Sequence, residues 1–86
     1  MGRKPKIEEP VFSRLEYSRL QRQLTRQELA DAVSVHYQTI GYLERGEYSP
    51  SLALALRIAE LLEVPIEQVF SLEPFPAEVT TEGDSP

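Results

Sequence analysis

The chain contains no cysteine and no tryptophan, and it has a single histidine, His36. Without cysteine it has neither a disulfide nor a thiol nucleophile. Because a secreted mini-protein of this size usually needs disulfides, we expect a cytoplasmic location. One histidine, no acids clustered at metal-ligand spacing and no glycine-rich phosphate loop predict no metal, no cofactor and no enzyme active site.

Long apolar runs are also missing. No stretch reaches the length of a membrane span, and the N-terminal MGRKPKIEEP has no apolar core of the kind found in signal peptides. The 86 residues, 41% of them hydrophobic, are enough for one small domain with a thin core. We therefore expect a single domain without a membrane segment.

Basic residues are scarce, and the formal net charge is -5. Residues 1–11 carry a formal charge of +1, residues 12–72 carry -2 and residues 73–86 carry -4. These changes in charge along the chain, together with the positions of the prolines, predict three segments. They are a flexible basic arm over 1–11, a domain over 12–72 and an acidic, proline-rich disordered tail over 73–86. A DNA-binding domain usually has a basic face, so the charge of the middle segment argues against that function.

The segment from Leu24 to Gly46 nevertheless reads as two short helices joined by a tight turn. Thr25 and Glu28 form a capping box at the start of the first of them. Ala30 is small enough for the two helix axes to cross closely, and Ile40 anchors the second helix, which runs from about His36 to Arg45. Gly46 then ends that helix in the left-handed conformation.

Helical spacing extends on both sides of this pair. It predicts a first helix from a Ser13 cap to about Gln23, a fourth from Leu52 to Glu63 and a short fifth from Ile66 to about Phe70. In the first helix, the residues predicted to face inward are Leu15, Leu20 and Tyr17. No convincing strand is predicted, so the fold class is all-α, a compact five-helix bundle.

An ordered set of residues over roughly 12–72 matches a known family. The matching positions include Arg19-Leu20, Leu24 to Ala30, Val35, Gln38 to Ile40, Leu43 to Gly46, Tyr48, Pro50 to Leu52, Ile58-Ala59 and Ile66 to Phe70. In these residues the chain resembles the lambda-repressor-like DNA-binding domain of the Cro/C1 (Xre) type. The resemblance implies a sequence-specific transcriptional regulator that binds double-stranded DNA as a homodimer, with its third helix in the major groove.

The resemblance also implies roles for individual side chains. Three match positions that contact base edges: Tyr37, Gln38 and Tyr42. Three match positions that contact the DNA backbone: Arg26, Thr39 and Arg45. Two match a buried ion pair: Arg19 and Glu44. The chemistry agrees for Gln38, because an amide can pair with N6 and N7 of adenine.

Four positions depart from the family pattern. Ser34 replaces the usual turn glycine and must accept a left-handed conformation, while His36 replaces the usual capping serine. Gly41 lies within the reading helix, and Glu47 stands where a basic residue is common. The acidic balance, Gly41 and Glu47 leave an alternative open, an antitoxin or adaptor that uses the same fold to bind a protein partner.

For a homodimer, the predicted interface is the wide apolar stripe of the fourth helix with the segment Val69 to Phe75.

Overall fold

Four α-helices form most of the fold in the computed structural model, which describes residues 9–76. They are α1 (Leu15–Gln21), α2 (Arg26–Val33), α3 (Tyr37–Glu44) and α4 (Leu52–Leu62). A 3₁₀ turn (Ile66–Gln68) follows, and two short strands, β1 (Phe12–Ser13) and β2 (Phe70–Ser71), pair antiparallel. Most of the predicted basic arm and most of the predicted acidic tail lie outside the described residues.

One hydrophobic core is formed by side chains of the four helices and by Val69, which directly precedes β2. Seven large side chains are almost completely buried in it: Leu15, Leu29, Ile40, Leu43, Ile58, Leu62 and Val69. Ala30 is also fully buried, on the helix α2 that packs against α3. The core holds α2 and α3 side by side and leaves the opposite face of α3 exposed.

The local signals around α2 and α3 are confirmed. The Thr25 hydroxyl accepts from the Glu28 amide at 3.0 Å, and the Glu28 carboxylate accepts from the Thr25 amide at 2.8 Å. Ser34 adopts φ 63° between the helices, and Gly46 adopts φ 73° after the second. His36 precedes α3 instead of starting it, because its extended backbone lets Nδ1 accept from the Gln38 amide at 3.1 Å.

The first helix is shorter than predicted, and its inward face differs. It begins at Leu15, whose amide donates to the Ser13 hydroxyl, and it ends before Gln23, which takes a left-handed φ of 59°. The prediction that Leu20 and Tyr17 face inward was wrong, since 54% and 46% of their surfaces are exposed. Leu15 is buried as predicted, and the second buried residue of the helix is Arg19.

The prediction of a fifth helix and of no strand was also wrong. Pro65 starts a single 3₁₀ turn, and the chain then becomes extended because Phe70–Ser71 pairs with Phe12–Ser13. The Arg14 amide adds a hydrogen bond of 2.8 Å to the Val69 carbonyl. This pairing ties the two ends of the described chain together and places the buried Val69 in the core.

Helix α4 has an inner and an outer apolar face. Ala55, Ile58 and Leu62 are buried, whereas 71% of Leu52 and 50% of Leu56 are exposed. The helix ends at Leu62, one residue before the prediction, because Glu63 is left-handed with φ 60°. Within residues 9–76, no helix has both the length and the apolar character needed to cross a membrane.

Candidate nucleic-acid interface

The exposed face of α3 and the start of α2 form one open concavity of about 250 Å³. Its lining residues are Arg26, Tyr37, Gln38, Gly41, Tyr42 and Arg45. Five of the six side chains predicted to touch DNA therefore lie around one depression. Thr39, the sixth, is half-buried and does not line it.

The charge of this concavity differs from that of the whole chain. Its lining includes two arginines and, among residues 9–76, no acidic side chain. An adjoining depression of about 660 Å³ runs along the end of α1 and the start of α2, and it shares Arg26 and Tyr37. No acidic residue of the described chain lines it either. Acidic side chains are thus absent from both linings, and each arginine of the concavity pairs with an acid just outside it, Arg26 with Glu44 and Arg45 with Glu47.

Gln38 offers an uncommitted amide at the concavity. Its backbone N–H donates to His36 Nδ1, but its side chain makes no hydrogen bond within residues 9–76. Gln27, on α2, differs because its side-chain amide donates to the Asp31 carboxylate at 2.8 Å. The Gln38 side chain is therefore ready to donate and accept with an external partner.

Tyr37 is held at the beginning of α3 by its neighbour. The His36 and Tyr37 rings stack with centroids 5.0 Å apart and planes inclined by 28°. Tyr37 and Tyr42 remain 46% and 45% exposed, and both line the concavity. The sequence indicated His36 only as a replacement for the capping serine, and its stacking on Tyr37 was not predicted.

Gly41 is buried in the concavity, beneath the side chain of Arg45. A Cβ atom at Gly41 would lie 3.3 Å from a terminal nitrogen of Arg45. The Arg45 guanidinium lies 5.4 Å from the centre of the Tyr42 ring, and its Nε is 3.1 Å from the Glu47 carboxylate. The absence of a side chain at Gly41 leaves room for Arg45 to fold back over α3.

Arg26 and Arg19 share one carboxylate, that of Glu44. Arg19 Nε is 2.6 Å from Glu44 Oε2, and Arg26 Nε is 2.8 Å from Glu44 Oε1. The Glu44 side chain is 2% exposed, Arg19 is 8% exposed and Arg26 is 44% exposed. The hydrogen bond and then the charge of Glu44 raise the pKa of Arg26.

The contact between Arg26 and Glu44 was not foreseen from the sequence. The two residues are 18 apart, but they start α2 and end α3, which pack side by side. Opposite charges at the first position of one helix and the last position of the next are a signal of such a contact. The Arg19–Glu44 pair, 25 residues apart, was accessible only through the family resemblance.

Comparisons with known proteins find a family model and several relatives that this chain matches. The HTH_3 helix-turn-helix family model matches residues 15–69. An uncharacterized HTH-type transcriptional regulator of Methanocaldococcus jannaschii is 43% identical over 61 residues, covering 71% of this chain and 92% of that protein. Another from Methanothermobacter thermautotrophicus is 55% identical over 51 residues, covering 58% and 74%.

A solved structure shows the same likeness. The crystal structure of the restriction-modification controller protein C.AhdI from Aeromonas hydrophila is 27% identical and superimposes with a TM-score of 0.60. The match covers 64% of this chain and 83% of C.AhdI.

Proposed function

We propose that this chain, which belongs to the HTH_3 helix-turn-helix family of the Cro/C1 type, is a transcriptional regulator that binds specific sites in double-stranded DNA. One observation carries the proposal. Arg26, Tyr37, Gln38, Tyr42 and Arg45 line a single concavity whose lining contains no acidic side chain of residues 9–76. The names of the relatives, which are HTH-type transcriptional regulators, support it.

In this proposal α3 lies in the major groove. The uncommitted amide of Gln38 pairs with an adenine edge, and Tyr37 and Tyr42 contact neighbouring bases. Arg26, Thr39 and Arg45 contact the phosphate backbone, which fixes the position of α3 without reading sequence. With two arginines in the concavity, we expect few phosphate contacts and a shallow dependence of affinity on salt.

Replacing Gln38 by Ala is expected to reduce discrimination at one base pair by about 1–3 kcal/mol, because a bidentate amide–adenine contact is lost. The binding site is first selected from a random DNA pool with the full chain. Affinities of the wild type and of Gln38→Ala are then measured on that site and on its single-base variants. Gln21→Ala, at an exposed position of α1 outside the concavity, is the matched control.

The outcomes separate the proposal from its alternative. An unchanged selected site and unchanged affinity with Gln38→Ala would contradict the base-reading role of Gln38. Enrichment of no DNA at low salt, with a stoichiometric protein co-purifying, would contradict the proposal and favour an antitoxin or adaptor.

We also propose that the chain binds DNA as a homodimer through the outer face of α4. Leu52 and Leu56 lie one turn apart and are largely exposed, and Leu72 is 60% exposed. Val69, which the sequence assigned to this interface, is fully buried in the core and is not available to a second copy. The interface therefore centres on the exposed leucines.

Leu56→Gln is expected to weaken the dimer at least tenfold. The change replaces an apolar side chain by a polar one on the outer face of α4, which the dimer buries. Sedimentation equilibrium measures the association. Leu20→Gln, on α1 with similar exposure (54% against 50%), is the control and should leave the association unchanged. A dimer should also select half-sites about 34 Å apart. One protein copy bound to a single half-site would contradict the dimer.

A further inference from the structure

Glu44 connects two arginines that have very different surroundings. Its carboxylate accepts from Arg19 on one oxygen and from Arg26 on the other, at 2.6 and 2.8 Å. Arg19 is itself fixed, because its terminal nitrogen donates to the Leu24 carbonyl at 2.8 Å. A continuous series of hydrogen bonds thus runs from the backbone before α2, through two buried side chains, to the exposed Arg26.

This series of hydrogen bonds reaches the concavity at Arg26, one of its lining residues. Arg26 is the first residue of α2, and Glu44 is the last residue of α3. Their contact joins the helices at the end opposite the Ser34 turn. The hydrogen bond uses only Nε of Arg26, and its two terminal nitrogens make no hydrogen bond within residues 9–76.

We propose that Glu44 is a positioning residue for DNA binding, which holds the guanidinium of Arg26 in place for a phosphate oxygen. The inference rests on the proposed function. An arginine held at Nε loses less rotamer freedom when its terminal nitrogens bind phosphate. Lysine has one nitrogen at the end of its side chain, so it cannot keep the Glu44 contact and also present a separate fork to the phosphate.

Two variants of Arg26 separate position from charge. Arg26→Lys keeps the charge, so the salt slope should stay unchanged while the DNA dissociation constant rises about tenfold. Arg26→Gln should raise the dissociation constant at least as much and also reduce the salt slope by about 0.9. Arg22→Lys is the matched control, because Arg22 is 42% exposed and pairs at 3.0 Å with Glu63, which is itself 72% exposed.

Glu44 is tested directly through the Nε–H proton of Arg26. In the NMR spectrum of the full chain we expect this proton to be protected from exchange, free and bound to DNA, while that of Arg22 exchanges rapidly. In a Glu44→Gln background, the further change Arg26→Lys should alter DNA affinity less than twofold. If Glu44→Gln does not fold, the exchange measurement on the wild type and the two Arg26 variants test the positioning role of Glu44.

Two results would overturn the positioning role while leaving the proposed function intact. One is an Arg26 Nε–H that exchanges as fast as that of Arg22. The other is wild-type affinity for Arg26→Lys on the selected DNA site. Absence of any DNA binding by the wild type would instead contradict the proposed function itself.

Discussion

Replacing Arg19 by Met is expected to lower the free energy of unfolding by about 3–5 kcal/mol, because it leaves a buried carboxylate without its closest partner. Glu44 is 2% exposed, and its remaining partner, Arg26, is 44% exposed. The Leu24 carbonyl also loses its hydrogen bond from the guanidinium. Small domains have total stabilities that begin at about 5 kcal/mol, so a domain at that lower limit would keep only about 0–2 kcal/mol and be partly unfolded. Urea unfolding followed by circular dichroism measures the loss.

Arg22→Met supplies the comparison for this experiment. Arg22 and Glu63 also form an ion pair, at 3.0 Å, but both side chains are well exposed, so its removal should lower stability by at most about 1 kcal/mol. The double variant Arg19→Met, Glu44→Leu should recover most of the loss, since no buried charge remains. Equal effects for Arg19→Met and Arg22→Met would show that burial does not set the strength of the first pair.

The pair of helices at the candidate site was predictable because its signals are local. The capping box needs only Thr25 and Glu28, and both of its hydrogen bonds are present. Ser34 and Gly46 occupy the left-handed positions that end the two helices. Each signal spans at most a few residues, so it can be recognised in the sequence without knowing the rest of the fold.

The features missed in the sequence depend on contacts between distant residues. β1 and β2 contain two residues each and are far apart in the chain, so neither has a pattern long enough to predict a strand. Their pairing replaces the second half of the predicted fifth helix. The prediction of which α1 residues face inward was wrong for a related reason. Hydrophobicity favoured Leu20, but the ion pair with Glu44 turns Arg19 inward.

Overall charge was a poor guide to the candidate surface. The balance of -2 over residues 12–72 gives no information on where the acids lie. Glu44 is neutralised by two arginines, and Glu47 is paired with Arg45. The other acids of the described chain lie outside the concavity. Prediction of this surface therefore needed the packing of α2 against α3, which composition does not contain.

Replacing Ile40 by Ala is expected to lower the free energy of unfolding by about 2–5 kcal/mol, because it leaves a cavity beneath α3. Ile40 is fully buried, whereas Gln38, two residues earlier, is exposed. The variant thus weakens the attachment of α3 to the core without changing any side chain of the concavity. Ile40→Val should lower stability by only about 0.5–1.5 kcal/mol, so the two variants form a graded series in urea unfolding.

The same series tests whether a folded α3 is what binds DNA. A ligand that binds only the folded chain adds about 2.7 kcal/mol of stability at a concentration one hundred times its dissociation constant. Excess selected DNA should therefore restore helical circular dichroism to Ile40→Ala, and its apparent affinity should fall in proportion to the unfolded fraction. If the folded fraction of Ile40→Ala binds DNA more weakly than the wild type, the core behind α3 also sets the geometry of the concavity. If DNA leaves the unfolding of every variant unchanged, the folded domain does not bind the selected site.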